Sequence, residues 1–183
     1  GSIERRGQII GRVCITERPQ IVETRSRIGD WEADTVIGRQ GGAVLVTLVE
    51  RKSRFSLIIR AENKTATAVS AAMTTAMSPH AAHVHTLTYD NGKEFAYHLK
   101  VSDELEAKGF FAHPYHSWER GLNENTNGLI RQYLPKGKSF DDLTDQDVVD
   151  IMDRLNNRPR KCLGFRTPNE VFRKDKSHVA LAS

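Results

Sequence analysis

Three carboxylates stand out because each occupies a place where a charged side chain needs a reason. Asp34 falls within the strand-like run Trp31-Glu-Ala-Asp-Thr-Val36. Side chains alternate along a strand, so Glu32 and Asp34 share one face while Ala33, Thr35 and Ile37 share the other. A charge inside a central strand is costly unless it is paired or holds a metal; a face turned to solvent is the bland alternative. Asp90 closes a later strand at Asp90-Asn91-Gly92. Ligands of open α/β sheets gather outside the carboxyl ends of strands, although Asp-Asn-Gly also makes an ordinary turn.

Glu124 lies in the polar stretch Glu119-Arg-Gly-Leu-Asn-Glu-Asn-Thr-Asn-Gly-Leu-Ile-Arg131. Asn123, Asn127 and Arg131 are spaced four apart and line one helix face. Such a face beside Glu124 suits metal and phosphate; a plain solvated stripe is the alternative. Hard divalent cations take oxygen ligands and keep waters. Two such ions about 3.5–4 Å apart activate an attacking oxygen and stabilise a leaving one. Arg131, with its forked guanidinium, is suited to hold a phosphate nearby.

The surrounding pattern tells which elements must position these groups. Trp31–Gly38, Ala43–Glu50 and Phe55–Ala61 are rich in Val, Ile, Leu and Thr and read as strands. Gly41-Gly42 and Lys52-Ser53 separate them as tight turns, which predicts an antiparallel meander. Thr65–Met77 switches to helical spacing, with Pro79 beyond it. Val84–Tyr89 is a fourth strand. A helix is expected over Lys93–Lys108 with Gly109 as its stop, then a short strand at Phe110–His113. Helices over Arg120–Tyr133 and Asp145–Asn156 follow, the second with a capping-box spacing from Thr144 to Asp147. The order implies a mixed sheet covered by helices, with the fourth strand returning parallel to the first.

Four ordered stretches carry a resemblance: Trp31-Glu-Ala-Asp34, Asp90-Asn-Gly-Lys-Glu-Phe95, Pro114-Tyr-His-Ser-Trp-Glu-Arg-Gly-Leu-Asn-Glu124 and Asn156-Asn-Arg-Pro-Arg-Lys-Cys-Leu-Gly-Phe-Arg-Thr-Pro168. Together they resemble the DDE transposases and integrases, and Asn125-Thr-Asn-Gly-Leu-Ile-Arg-Gln-Tyr133 is most similar to the bacterial insertion sequence 30 family. The 33 residues between Asp90 and Glu124 match that family's pattern. The resemblance covers residues 29–172. It implies a ribonuclease H-like fold, a five-stranded mixed sheet with helices on both faces. It also implies that Asp34, Asp90 and Glu124 form a catalytic triad binding two Mg²⁺ or Mn²⁺ ions, with Arg131 contacting DNA near it. The implied activity is cleavage at transposon ends and strand transfer into target DNA, by an assembly of at least two subunits. Family members carry helix-turn-helix regions ahead of this core, and none is read in this sequence.

The chain has 183 residues and a formal charge of +4, a mild pointer to a polyanionic partner. Five basic residues and no acid lie from Arg154 to Arg166. Such a run is as easily a solvated face, but within it Arg158, Arg160 and Lys161 are expected to follow a DNA backbone, and Asn123, Asn127 and His116 to line the DNA groove. His98, His113 and His116 have no second ligand pair at zinc spacing, so non-metal roles are expected for them. Trp118 is expected to pack on the core. Residues 1–28 read as a cloning remnant, Gly1-Ser2, followed by a basic arm or linker, residues 29–176 as the catalytic core and 177–183 as a tail. No apolar run approaches the roughly 20 residues that span a bilayer, and no signal peptide is visible. Cys14 and Cys162 are far apart, as suits a reducing compartment, and a cytoplasmic, nucleoid-associated protein is expected.

Overall fold

β-branched and aliphatic residues fill the first half of the chain, and they form the meander that their alternation predicts. In the computed structural model, which describes residues 9–116, 119 and 121–174, β1 is Asp30–Ile37, β2 Val44–Glu50 and β3 Ser56–Ala61. A long crossover then brings β4, Thr86–Tyr89, back parallel to β1, and β5, Lys108–Phe111, lies parallel to β4. The sheet order is β3-β2-β1-β4-β5, so β1 is central.

Period-two alternation in β2 sorts the core into two layers. Val44, Val46 and Leu48 join Trp31, Ala33, Leu87 and Tyr89 on one face, while Ala43 and Leu45 join Val36 and Ile58 on the other. The first face is covered by α2, Ala66–Met77, and α3, His98–Leu105, through Val69, Met73, Met77, Val101 and Leu105. The second is covered by α4, Gly121–Arg131, and α5, Asp145–Asn156, through Ile130, Val148, Ile151 and Leu155. Thr65 and Thr144 cap α2 and α5, the latter through the reciprocal capping box with Asp147.

Two local expectations are corrected. The helix expected over Lys93–Lys108 is a 3₁₀ turn, Lys93–Phe95, followed by the shorter α3. The break lets Glu94 and Phe95 bury together ahead of the face formed by His98, Val101 and Leu105. The stop is Glu106, in the left-handed region at φ 53°, and not Gly109. That glycine lies within β5, where an added Cβ would come within 3.1 Å of the Tyr89 ring.

The basic arm is packed against the sheet. It carries a 3₁₀ turn, Ile15–Glu17, and a short helix α1, Gln20–Thr24, whose Val22 is fully buried. Cys14 makes a parallel bridge to Phe111, and the Phe111 N–H donates to the Val13 carbonyl at 2.8 Å. The β5 edge is thereby capped against strand addition. Residues 168–174 form a final helix. From it Phe172 stacks on Phe55 (ring centroids 4.2 Å apart, planes 5° apart) and meets Trp31 edge-on at 5.8 Å. Trp118, residues 1–8 and the tail lie outside the described residues.

Asn156, the last residue of α5, ties that helix to the outer strand. Its amide accepts from the Ser56 N–H at 2.9 Å and donates to the Ser56 carbonyl at 2.8 Å, all buried. It therefore does for β3 what a further strand would do. Asn156→Ala leaves both backbone groups unsatisfied and should lower unfolding free energy by about 2–4 kcal/mol. Urea denaturation checks this, and a loss below about 1 kcal/mol would count against the role.

Candidate active site

The β1–β4 register assembles the site. Asp30, Trp31 and Glu32 pair with Thr86, Leu87 and Thr88. Carried two residues further, the same register sets Asp90 beside Asp34. Both then lie on the sheet face that α4 and α5 cover, at the carboxyl ends of their strands. Asp34 and Asp90 are half-buried. Asp34 Oδ1 accepts from the Thr35 N–H at 2.9 Å, and its Oδ2 accepts from Asn127 Nδ2 at 2.9 Å. Asp90 Oδ1 accepts from the Gly92 N–H at 2.8 Å, which fixes the turn after β4.

Glu124 is exposed in the first turn of α4, and two asparagines on either side of it in sequence anchor that helix to β1. Asn123 Nδ2 donates to the Ala33 carbonyl at 3.5 Å, and Asn127 reaches Asp34 itself. The four-residue spacing does line Asn123, Asn127 and Arg131 along one face, but that face meets β1. Asn123, 1% exposed, is at odds with the expected DNA contact. Arg131 donates to the carbonyls of Ile37 at 2.7 Å and Leu134 at 3.4 Å, and lies over the Phe140 ring. Asn127 is a support for Asp34 as the structure has it.

Below the site the same face is closed by charge pairing. Glu32, fully buried, is met by Arg51 at 3.0 Å, and Arg51 also donates to the Val22 carbonyl of α1. Arg18 donates to Thr88 at 2.9 Å and pairs with Glu23. Desolvation pulls the Arg51 pKa down and the Glu32 charge opposes it. Removing Arg51 alone would strand a buried carboxylate, at a cost of about 3–5 kcal/mol.

Several contacts around these residues escaped the sequence reading. Glu94 is buried, accepts from Thr35 Oγ1 at 3.1 Å and lies 3.8 Å from Lys64 Nζ, tying the segment after Asp90 to β1. Arg12 donates to Asn91 Oδ1 at 2.5 Å, and Asn91 donates to the Ala112 carbonyl at 2.6 Å. Beside Asp90 is a cleft of about 380 Å³ lined by residues 90–92 and 112–116, His116 among them. Of the basic loop, Arg158 and Lys161 are exposed, Arg158 bonding Gln132 at 3.3 Å. Arg160 turns inward to the Leu155 carbonyl at 3.0 Å, and burial lowers its pKa, so a backbone-tracking role does not suit it.

On the cleft rim, Glu119 Oε1 lies 2.8 Å from His113 Nδ1 and 3.4 Å from His116 Nδ1. The bond to Glu119 raises the His113 pKa above its ordinary 6.5. Burial alone would raise that of Glu119, but the bonds from the His113 side chain and N–H and from His116 outweigh it and hold it below 4.5. Two windows follow. The His113 contribution is complete below pH about 6.5 and disappears as pH rises through its elevated folded value. The Glu119 contribution is present above about 4.5 and is lost on acidification through its depressed value. In chelator-treated buffer, the His113 ring signals should titrate above pH 6.5, and in Glu119→Gln the midpoint should drop. Unchanged midpoints by proton NMR would rule out the pairing.

No family model matches the chain. Over 180 residues, 97% of its length, it is 48% identical to a transposase for insertion sequence element IS4351 from Bacteroides fragilis, of which it covers 55%. Over 165 residues, 90% of its length, it is 39% identical to transposase InsI for insertion sequence element IS30A from Escherichia coli strain K12, of which it covers 43%. The chain thus spans about half the length of the curated relatives it matches. Among solved structures, the catalytic core domain of BIV integrase matches with a TM-score of 0.62 at 18% identity, over 82% of this chain and 97% of that one. The HTLV-2 integrase catalytic core domain, in complex with magnesium in a trimeric form, gives 0.60 at 19% identity, over 80% and 97%. At these identities the structural likeness speaks for fold, and that fold is the ribonuclease H-like one of integrase catalytic cores. Over nearly all of its own length, then, the chain is a homologue of insertion sequence 30 family transposases at 39–48% identity.

Proposed function

We propose that this chain is the catalytic core of a DNA transposase, in which Asp34, Asp90 and Glu124 hold two divalent ions, Mg²⁺ or Mn²⁺, for strand cleavage and strand transfer. The observation that carries the reading is the parallel β1–β4 register, with Glu32 opposite Thr88; two residues further along it Asp34 and Asp90 would stand side by side, on the face that α4, the helix of Glu124, covers. An all-oxygen donor set suits hard cations. A further mark of fit is a pair of buried amide oxygens beside β1, Asn123 Oδ1 and Asn127 Oδ1, which have no hydrogen-bond partner among the described residues. The two ions, when bound, activate the attacking oxygen and stabilise the leaving one.

The chain's own residues orient and hold. Asp34 is fixed by the Thr35 N–H and Asn127 before any ligand arrives, so little ordering is left for the moment of binding. Arg158 and Lys161 offer exposed cations for the DNA backbone, and His116 lines the cleft beside Asp90. Arg131 keeps a role near the phosphate through the donors its carbonyl partners leave over. The first step is hydrolysis and the second direct transesterification. Water opens the phosphodiester at an element's end and frees a 3′-hydroxyl, which attacks a target phosphodiester and displaces its 3′ oxygen. Synapsis of two ends calls for at least a dimer, working on DNA in the bacterial cytoplasm at the nucleoid. The HTLV-2 core, in complex with magnesium and in a trimeric form, is in keeping with a cation and an oligomer.

Calorimetric titration with Mn²⁺ tests the metal site without requiring the rest of the transposase. Wild-type chain should bind, and Asp34→Asn/Asp90→Asn should not; equal binding by both would refute the triad. In the full-length transposase, Asp34→Asn, Asp90→Asn and Glu124→Gln should each abolish both nicked and joined products. Nicking with no joined strand from the wild type would favour a plain nuclease. For the backbone contacts, Arg158→Ala/Lys161→Ala should flatten the log–log salt dependence of DNA binding by about 2. An unaltered slope would remove both residues from the interface.

A further inference from the structure

Outside the three carboxylates, His113, His116 and Glu119 bring one ligand atom each to within 4.8 Å of one another. The segment between β5 and α4 supplies all three, through a turn in which Tyr115 takes the left-handed conformation at φ 64°. That turn folds His116 back toward His113, with ring centroids 5.1 Å apart and planes 48° apart. Both rings present Nδ1 to the same carboxylate oxygen, Glu119 Oε1.

The spacing suits a tetrahedral ion. With metal–ligand bonds of about 2.0–2.2 Å, two ligands at a tetrahedral angle stand about 3.3–3.5 Å apart. The His116 Nδ1 to Glu119 Oε1 distance is already 3.4 Å, and the His113 distance of 2.8 Å has to open by roughly half an ångström. The outer contacts are those that orient ligands in metal sites. His113 Nε2 lies 3.3 Å from Cys14 Sγ, and Glu119 Oε2 accepts the His113 N–H at 2.9 Å. Side-chain exposures of 36%, 41% and 18% leave a route in for an ion.

We propose that His113, His116 and Glu119 bind one zinc-class divalent ion, at a site separate from Asp34, Asp90 and Glu124. Two imidazoles and one carboxylate are a borderline donor set, which selects Zn²⁺ or Co²⁺ over the oxygen-seeking Mg²⁺. The ion takes the place of the proton shared between imidazole and carboxylate, and that proton leaves to solvent. Its fourth position is open. Bound there, it staples the segment that leads directly into α4.

Co²⁺ is the probe of choice, because its visible d–d bands report tetrahedral nitrogen and oxygen ligation. One equivalent should saturate the bands, and Zn²⁺ should displace it. The Asp34→Asn/Asp90→Asn variant should give the same spectrum and affinity, while His116→Ala and Glu119→Gln should bind at least about tenfold more weakly. Independently of any variant, Zn²⁺ should shift the ring signals of His113 and His116 in the wild-type NMR spectrum and leave His98 in place. Absence of d–d bands, their retention in His116→Ala, or their loss in Asp34→Asn/Asp90→Asn would each overturn the site. The last result would assign the ion to the carboxylate triad instead.

Discussion

The parallel pairing of β1 with β4 is the constraint on which the proposed site rests. A one-residue slip would turn every β1 side chain to the opposite face, putting Trp31 and Ala33 under α4 and the acids into the aliphatic layer. In the register observed, Asp30 and Glu32 stand beside Thr86 and Thr88, and the same alternation puts Asp34 on their face. The three β1 acids are treated differently. Asp30 bonds Arg27 and Thr86, Glu32 is matched by Arg51, and Asp34 accepts from two amides. A buried carboxylate beside guanidinium is locked as structure.

This layout gives the arm a part in the core. Arg18 and α1 close the lower part of the acidic face, and Arg12 reaches Asn91 beside Asp90. A segment that composition marks only as basic and weakly periodic thus supplies counter-charges from inside the fold. Its arginines are engaged by Glu23, Thr88 and Asn91 as well as by solvent, so counting them as a surface for polyanions overstates that surface. The same holds for Arg160, whose neighbours Arg158 and Lys161 stay outside.

Much of the framework is legible in the sequence because it depends on local pattern. The three meander strands fall within a residue of their alternating runs, and α5 occupies Asp145–Asn156 because its cap and apolar spacing agree. What could not be read depends on pairings distant in sequence or on unusual backbone. Glu106 ends α3 in a conformation that normally calls for glycine, while the nearby Gly109, the more obvious stop, belongs to a strand. Helical spacing correctly grouped Asn123, Asn127 and Arg131, yet spacing does not say whether a stripe faces solvent or a strand. The His113–His116–Glu119 cluster mixes a carboxylate with two imidazoles across a turn, a spacing that no search for paired zinc ligands detects. Of the three carboxylates, only Asp34 violates a local rule, a charge inside a strand; an acid in a turn and an acid in the first turn of a helix are both locally ordinary, so Asp90 and Glu124 are conspicuous through their spacing.

Phe172 lies flat on Phe55 and edge-on to Trp31, the first large side chain of β1. During synthesis the apolar face around Trp31 has no such cover until residue 172 has left the ribosome. At typical elongation rates that wait is on the order of ten seconds. A nascent chain of this type therefore leaves Trp31 and Phe55 without their Phe172 partner for the whole interval, even after the earlier helices have covered the rest of the sheet. The helix at residues 168–174 is in effect the latch on that aromatic face.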